Sequence, residues 1–438
     1  MNTLTGKKMT AAFLAGILMT AAGCTSAKEI ETAADTEKTA EVAESTDTEQ
    51  EDAPALVQDA VTSAAAVTSG GLFDASDFFT ERDLQQTADL SEAQYISLSD
   101  GQDVNITQEG VYVLNGTASD VTVRVEADDS AKVQIVLNGV NVTNTDSPVI
   151  YVVSADKVFV TTTETENAMT VSGTFTADGE TNTDAVIFAK DDIVLNGLGT
   201  LKISSTDNGI SCKDDLKITG GTYVITASGD GIEANDSVRI SGGTVSVNSG
   251  NDGIQVKNDD DNTTGYVYIC GGDITVDASD DAVHGNLGVQ IDGGSLKINA
   301  AEGIEGTYVQ INGGSISISA SDDGINAAAK TDVYVPTLEI TGGELTVNMA
   351  QGDTDALDSN GYIYIKGGTV DITAQFAFDF EYGAEMTGGT VTVNGTQVTT
   401  ITNSMMGGGM MGGPQGGFGG EHGGFGGGPQ GGFGGGRP

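Results

Sequence analysis

Between Gly199 and Gly389 one phrase returns about every 22 residues: apolar-x-Gly-Gly-(Thr/Ser)-apolar-x-apolar, a short polar stretch, then an acid followed by Gly-Ile. Ile240-Ser241-Gly242-Gly243-Thr244-Val245-Ser246-Val247 leads to Asp252-Gly253-Ile254, and Ile311-Asn312-Gly313-Gly314-Ser315-Ile316-Ser317-Ile318 leads to Asp323-Gly324-Ile325. The first Gly of each pair stands at 220, 242, 271, 293, 313, 342, 367 and 388, so the gaps are 22, 29, 22, 20, 29, 25 and 21 residues. A unit this short cannot bury an apolar face alone. Stacked copies supply one another's core, so a period in the twenties with irregular insertions predicts a solenoid.

The residues assign themselves to faces. Two positions before the Gly pairs stand Ile218, Ile240, Ile269, Ile291, Ile311, Ile340 and Ile365, and two before those stand Leu216, Val238, Val267, Val289, Val309, Leu338 and Ile363. Side chains alternate along a strand, so both sets face inward and the residue between them faces out. Gly-Gly makes a bend where side chains would crowd. A second strand follows, with Val245/Val247, Ile274/Val276, Leu296/Ile298 and Ile316/Ile318 inward, and Gly-Ile opens a third. Three short strands per coil predict an all-β fold, a single parallel β-helix, with insertions 258–265, 328–337 and 351–354 as outside loops. Nonapeptide calcium rolls and leucine-rich repeats need ladders that this chain lacks.

The flanks differ in composition. Lys7 and Lys8 precede an apolar run, Ala11 to Ala22, too short to span a bilayer. It ends Ala21-Ala22-Gly23-Cys24, which resembles the lipobox of bacterial lipoproteins, although Ala21 stands where Leu is usual. Residues 1–23 are therefore expected to be a signal peptide and Cys24 a lipid-bearing anchor on the extracellular face of the cell membrane, with secretion the outcome if Cys24 is not acylated. Residues 24–70 are rich in Glu, Asp, Thr and Ala, the composition of a disordered, self-repelling tether. A transition segment at 71–99, with a short helix expected at Glu81 to Leu90, leads into a β-helix over 100–403. Residues 404–438 form a Gly/Met/Phe-rich flexible tail. Cys212 and Cys270 hold different places in the repeat, so both are expected to be packing thiols.

Stacking turns a sequence period into ladders with rungs about 4.8 Å apart. The acid before Gly-Ile, or before Ala-Val and Ala-Leu at the equivalent place in two coils, is Asp230, Asp252, Asp281, Glu302, Asp323 or Asp355, with acidic neighbours Asp280, Asp322 and Asp353. Three residues on, a second polar column holds Glu233, Gln255, His284, Glu305, Asn326, Asp358 and Asp379. Like charges at that spacing repel by roughly 3–4 kcal/mol per pair at an effective dielectric of 20. Partial burial would force protonation, splaying or bound cations, and clustered carboxylates suit Ca²⁺. The bland alternative is a solvated acidic edge of Asp-Gly turns. Tyr266, Tyr308 and Tyr362 recur on alternate coils of another column, with Tyr268 and Tyr364 beside them. Outward rings about 10 Å apart would stack on successive sugars of an extended glycan. Lys+Arg number 18 against Asp+Glu 63, a net charge of −45, which argues against nucleic acid as a partner.

The entry Gly110-Val111-Tyr112-Val113-Leu114-Asn115-Gly116, the run Val133-Gln134-Ile135-Val136-Leu137-Asn138-Gly139-Val140, the later Asp355-Ala356-Leu357-Asp358-Ser359-Asn360-Gly361, the Gly-Gly coils and the Gly-rich tail resemble the carbohydrate-binding domain family of clostridial secreted and lipid-anchored proteins. The resemblance covers about residues 95 to 400. It implies a polysaccharide-lyase-like, right-handed parallel β-helix, bound calcium, and binding of plant-cell-wall polysaccharides, acidic ones especially, without catalysis. The alternatives are a pectate-lyase-like or polygalacturonase-like enzyme, and a structural adhesin or spacer. A lyase needs a base beside bound uronate, and the repeat places no basic residue on the acidic columns. A hydrolase needs only carboxylates, for which Asp280-Asp281 or Asp322-Asp323 would serve.

Overall fold

The computed structural model describes residues 71–352 and 354–404. The expected signal peptide, the tether, Cys24, Asp353 and nearly all of the tail lie outside the described residues. Strands follow one another from Gln94–Ser97 to Thr396–Val398, and the helical content among the described residues is one 3₁₀ turn at Ala75–Asp77.

Each strand pairs in parallel with its counterpart one coil later. In the first sheet Ser237–Ile240 pairs with Tyr266–Ile269, and in the second Thr244–Ser249 pairs with Asp273–Ala278. In the third sheet Ile254–Val256 pairs with the start of Asp281–Ile291. The same register repeats coil after coil, which makes the chain a parallel β-helix. It ends on an antiparallel hairpin, Thr390–Val393 with Thr396–Val398.

The inward columns meet in the core as their offset from Gly-Gly requires. Ile218, Ile240, Ile269, Ile291, Ile311, Ile340 and Ile365 are completely buried, in register from coil to coil. The bend between first and second sheets shows why the pair must be glycine. Gly243 has φ of +93°, and a Cβ there would lie 2.9 Å from the carbonyl oxygen of Gly221. On Gly313, the first of its pair, a Cβ would lie 2.3 Å from the Asp292 carbonyl oxygen.

Insertions 258–265 and 328–337 lie where the third sheet hands over to the first, outside the coils as expected. They touch, with Asn262 Nδ2 donating to Asp332 Oδ1 at 2.6 Å. The two coils between them have no insertion at this handover, so third and first strands fuse into Asp281–Ile291 and Glu302–Ile311, with an irregularity between Gly285 and Gly288.

Two local expectations are corrected. No helix forms over Glu81–Leu90. Thr80 and Asp83 exchange bonds, Asp83 Oδ2 accepting from the Thr80 N–H at 3.0 Å and Thr80 Oγ1 from the Asp83 N–H at 3.2 Å, a helix-start cap that closes only a single turn before Gln86 bonds to Gly197 and Thr219 of the coils. Cys212 is a buried free thiol in register with Ala234, as a packing residue should be, but Cys270 does not pack in the core. Cys270 follows inward Ile269 and therefore turns out of the coil, half-buried, just before Gly271-Gly272.

Candidate functional site

The acid before Gly-Ile sits at the corner between the second and third sheets. Its first role is architectural. Asn208 Oδ1 accepts the Asp230 N–H at 2.8 Å, Asp230 Oδ1 accepts the Asp252 N–H at 3.0 Å, and Asp252 Oδ1 accepts the Asp281 N–H at 3.0 Å. Asp323 Oδ1 does the same for Asp355 at 3.2 Å. Each side chain thus caps the corner of the next coil. Asp230, Asp252 and Asp281 are buried, so the column is no solvated edge. Asp280 and Asp322 turn to solvent beside it.

Midway along the solenoid the two polar columns converge. Asp252, Asp281 and His284 bring ligand atoms within 4.8 Å of one another, as do Asp281, Glu302 and Glu305. His284 Nδ1 lies 2.9 Å from Asp281 Oδ2 and 3.3 Å from Glu305 Oε2, and its Nε2 lies 2.8 Å from Asn286 Oδ1. Asn326 Nδ2 donates to Glu302 at 3.1 Å and to Glu305 at 3.3 Å. Its Oδ1 is buried without a hydrogen-bond partner.

Burial sets the protonation here. It lifts Glu302 to about 8, with the charges of Glu305 and Asp281 adding to it against the Asn326 bond. Burial also raises Asp230 and Asp252 against their hydrogen bonds from Asn251 and Gln255. Burial pulls His284 down, but the hydrogen bond to Asp281 and the charges of Glu305 and Asp281 raise it on balance. A second acidic group follows, where burial and neighbouring carboxylates lift Asp323 to about 6 and Asp358 to about 7. Glu233 stands apart, held by Asn208, Ser211 and Lys213.

One participant was missed in the sequence. Lys330 Nζ lies 2.7 Å from Glu305 Oε1, so a basic residue does reach the acidic columns. It comes from the 328–337 insertion, whose Lys330 and Thr331 N–H groups donate to Thr307 Oγ1 at 3.1 and 2.9 Å. The path of an insertion is not written in the repeat, and only the presence of a lysine just beyond the acid column signalled it. Burial lowers its pKa, but the bond to and charge of Glu305 raise it on balance. An ammonium held charged in this way is a poor base for abstracting a proton.

The tyrosine columns of the first sheet have the expected register but not the expected exposure. Tyr266, Gly288, Tyr308, Thr337 and Tyr362 align, as do Tyr268, Gln290, Gln310, Glu339 and Tyr364. Tyr268 is 2% exposed and Tyr308 8%, so neither forms an open strip. Phe73 lies 4.4 Å from Tyr266 between ring centroids, and Phe78 lies 5.6 Å from Tyr266 and 5.0 Å from Tyr268. Tyr308 gives its hydroxyl to Glu339 Oε2 at 2.6 Å and meets the Tyr334 ring edge-on at 5.8 Å. The open part is at the C-terminal coils. Tyr362 and Tyr364 stack at 5.7 Å, Tyr382 packs edge-on against Tyr362 and is 55% exposed, and Lys366 lies beside Tyr364.

A family model described as carbohydrate-binding domain-containing protein matches residues 100–356, more than half of the chain. The chain belongs to this carbohydrate-binding domain family. A curated carbohydrate-binding domain-containing protein of Acetivibrio thermocellus is 36% identical over 124 residues, 27% of this chain and 43% of the relative. The chain thus matches less than half of that relative's length. A solved polysaccharide lyase-like protein from C. thermocellum, a gadolinium derivative, superposes with a TM-score of 0.39 at 25% identity, covering 69% of this chain and 97% of that one. The carbohydrate-binding domain match contains the acid cluster from Asp230 to Asp355, with Tyr266, Tyr268 and Tyr308. Tyr362 and Tyr364 lie just beyond it, and residues 71–99 precede it.

Chemically, the cluster in this carbohydrate-binding domain suits a hard cation. Asp281, Glu302 and Glu305 offer carboxylate oxygens of the kind Ca²⁺ takes. An ion there would supply positive charge that offsets buried carboxylates and attracts an anionic sugar.

Proposed function

We propose that this protein binds extended polysaccharides, acidic plant-cell-wall glycans above all, without cutting them, and that calcium supports the binding. Family membership supports carbohydrate as the ligand. The observation that carries the finer statement is the convergence of Asp281, Glu302 and Glu305 on one point of the solenoid. Calcium at this corner would let a chain of net charge −45 hold an anionic polymer. Tyr362, Tyr364 and Tyr382 offer the ring faces for sugar stacking. The Ala21-Ala22-Gly23-Cys24 sequence supports a lipid anchor at the outer face of the membrane, or release where Cys24 stays unmodified.

Retention on immobilised polygalacturonate and on a neutral glycan, with calcium and with chelator, tests this. Chelation is expected to weaken retention on the acidic glycan far more than on the neutral one. Tyr364→Ala is expected to weaken both by about tenfold, the effect of losing one stacking ring worth roughly 1–1.5 kcal/mol. New reducing ends or unsaturated uronate products from polygalacturonate would make the chain an enzyme instead. Detergent-phase partitioning of the wild type against Cys24→Ser checks the anchor.

A further inference from the structure

The strap of residues 71–86 runs along the outer face of the first sheet, against the course of the coils. The Leu72 N–H donates to Gln310 Oε1 at 2.7 Å, and the Phe73 N–H to Gln290 Oε1 at 2.7 Å. Phe73 and Phe78 cover Tyr266 and Tyr268, with the Arg239 guanidinium 4.5 Å from the Phe78 ring centroid. Asp83, with no exposure, places its carboxylate 3.3 Å from Lys217 Nζ and 3.7 Å from Lys157 Nζ. Gln86 accepts the Gly197 N–H at 2.9 Å and donates to the Thr219 carbonyl at 3.1 Å.

The face beneath has a composition unlike the rest of the molecule. In a chain with 18 basic residues against 63 acidic ones, Lys217 and Arg239 stand in register on neighbouring coils of one face, and Lys157 reaches the same place from two coils before Lys217. Tyr268, Gln290 and Gln310 continue the column in unbroken register. Cations, a ring face and amides are the groups that hold the carboxylate, apolar face and hydroxyls of a uronic acid. Asp192 and Asp215 of the coils already pair with Lys157 and Arg239 at 3.3 and 2.7 Å. The strap adds the Asp83 carboxylate between the two ammoniums, where a uronate carboxylate would sit, the Phe78 ring on Tyr268, and backbone N–H groups on Gln290 and Gln310. The column then runs on past the strap, through Glu339 to Tyr364.

We propose that the face from Lys157 along the column of Lys217, Arg239, Tyr268, Gln290 and Gln310 is a second segment of the glycan-binding groove, specific for uronate carboxylates, and that residues 71–86 occupy it as an internal competitor. A polymer seated on Tyr362 and Tyr364 extends along the column and displaces the strap from its Leu72 end. This rests on the glycan-binding function proposed above. The closed groove lowers apparent affinity by the fraction of time it is open.

Hydrogen exchange on the full chain reads the displacement directly. Saturation with a long oligogalacturonate is expected to speed exchange of the Leu72 and Phe73 amides, whereas a neutral oligosaccharide of equal length leaves them protected. Asp83→Asn in the full chain is expected to tighten oligogalacturonate binding about tenfold, and Lys217→Gln in that background to remove the gain. Oligogalacturonate bound at saturation with Leu72 and Phe73 still protected, and affinity unchanged by Asp83→Asn, would overturn the groove while leaving glycan binding at the tyrosines intact. No retention of any glycan by wild type or Asp83→Asn would overturn both. The exchange experiment uses wild type, so it decides even where Asp83→Asn folds poorly.

Discussion

Ile291 has no exposed surface and lies between Ile269 and Ile311 of the adjoining coils. Replacing it by Ala removes buried methylenes that packed neighbours cannot refill, a loss of about 2–5 kcal/mol. Thermal unfolding followed by circular dichroism should show a clear fall in melting temperature for Ile291→Ala, and an unchanged transition would refute the stacked core. Such positions were legible in the sequence because they keep a fixed offset from Gly-Gly. Tyr268 and Tyr308 were legible in register but not in exposure. What covers them, Phe78 of the strap and Tyr334 of an insertion, lies outside the repeat and obeys no period.

At the scale of elements, the acidic corner combines two requirements that one substitution separates. Asp252 Oδ1 caps the Asp281 N–H, while its other oxygen accepts from Gln255. Asn208 already performs this capping with an amide oxygen one coil before Asp230. Asp252→Asn should therefore keep the coil corner, provided that the Gln255 amide turns over to present its oxygen. Asp252→Ala leaves a buried N–H unpaired and is expected to cost about 1–3 kcal/mol. Denaturant unfolding in chelator should rank wild type and Asp252→Asn together, well above Asp252→Ala, and equal losses in both variants would deny the capping role. The column itself was visible in the sequence as a list of acids, but its burial was not. Nor was Lys330, because the return of the 328–337 loop onto Thr307 depends on tertiary bonds that no spacing encodes.

For the molecule as a whole, −45 charges oppose compaction and the buried acids add to the cost as they ionise. Glu302 titrates at about 8 when folded against 4.5 as its ordinary value, Asp358 at about 7 and Asp323 at about 6 against 3.8. Between those limits the unfolded chain has released these protons and the folded chain still holds them. Stability without metal must then fall as pH rises from about 4 to 8 through these groups. Asp83 acts oppositely: burial raises its pKa, but the Thr80 bond and the Lys217 and Lys157 charges outweigh that and lower it, so its stabilisation is lost only below its ordinary value near 3.8. A cation on Asp281, Glu302 and Glu305 binds the ionised forms, so its stabilisation should grow over the window in which the metal-free protein weakens. Melting temperatures in chelator should thus decline from pH 5 to pH 8, while millimolar calcium should raise them more at pH 8 than at pH 5. Glu302→Gln, which carries no titrating proton, should flatten part of the decline in chelator and reduce the calcium increment at pH 8. Coincident melting curves with and without calcium at pH 8, starting from demetallated protein, would remove calcium from this corner and leave its carboxylates with the capping role alone.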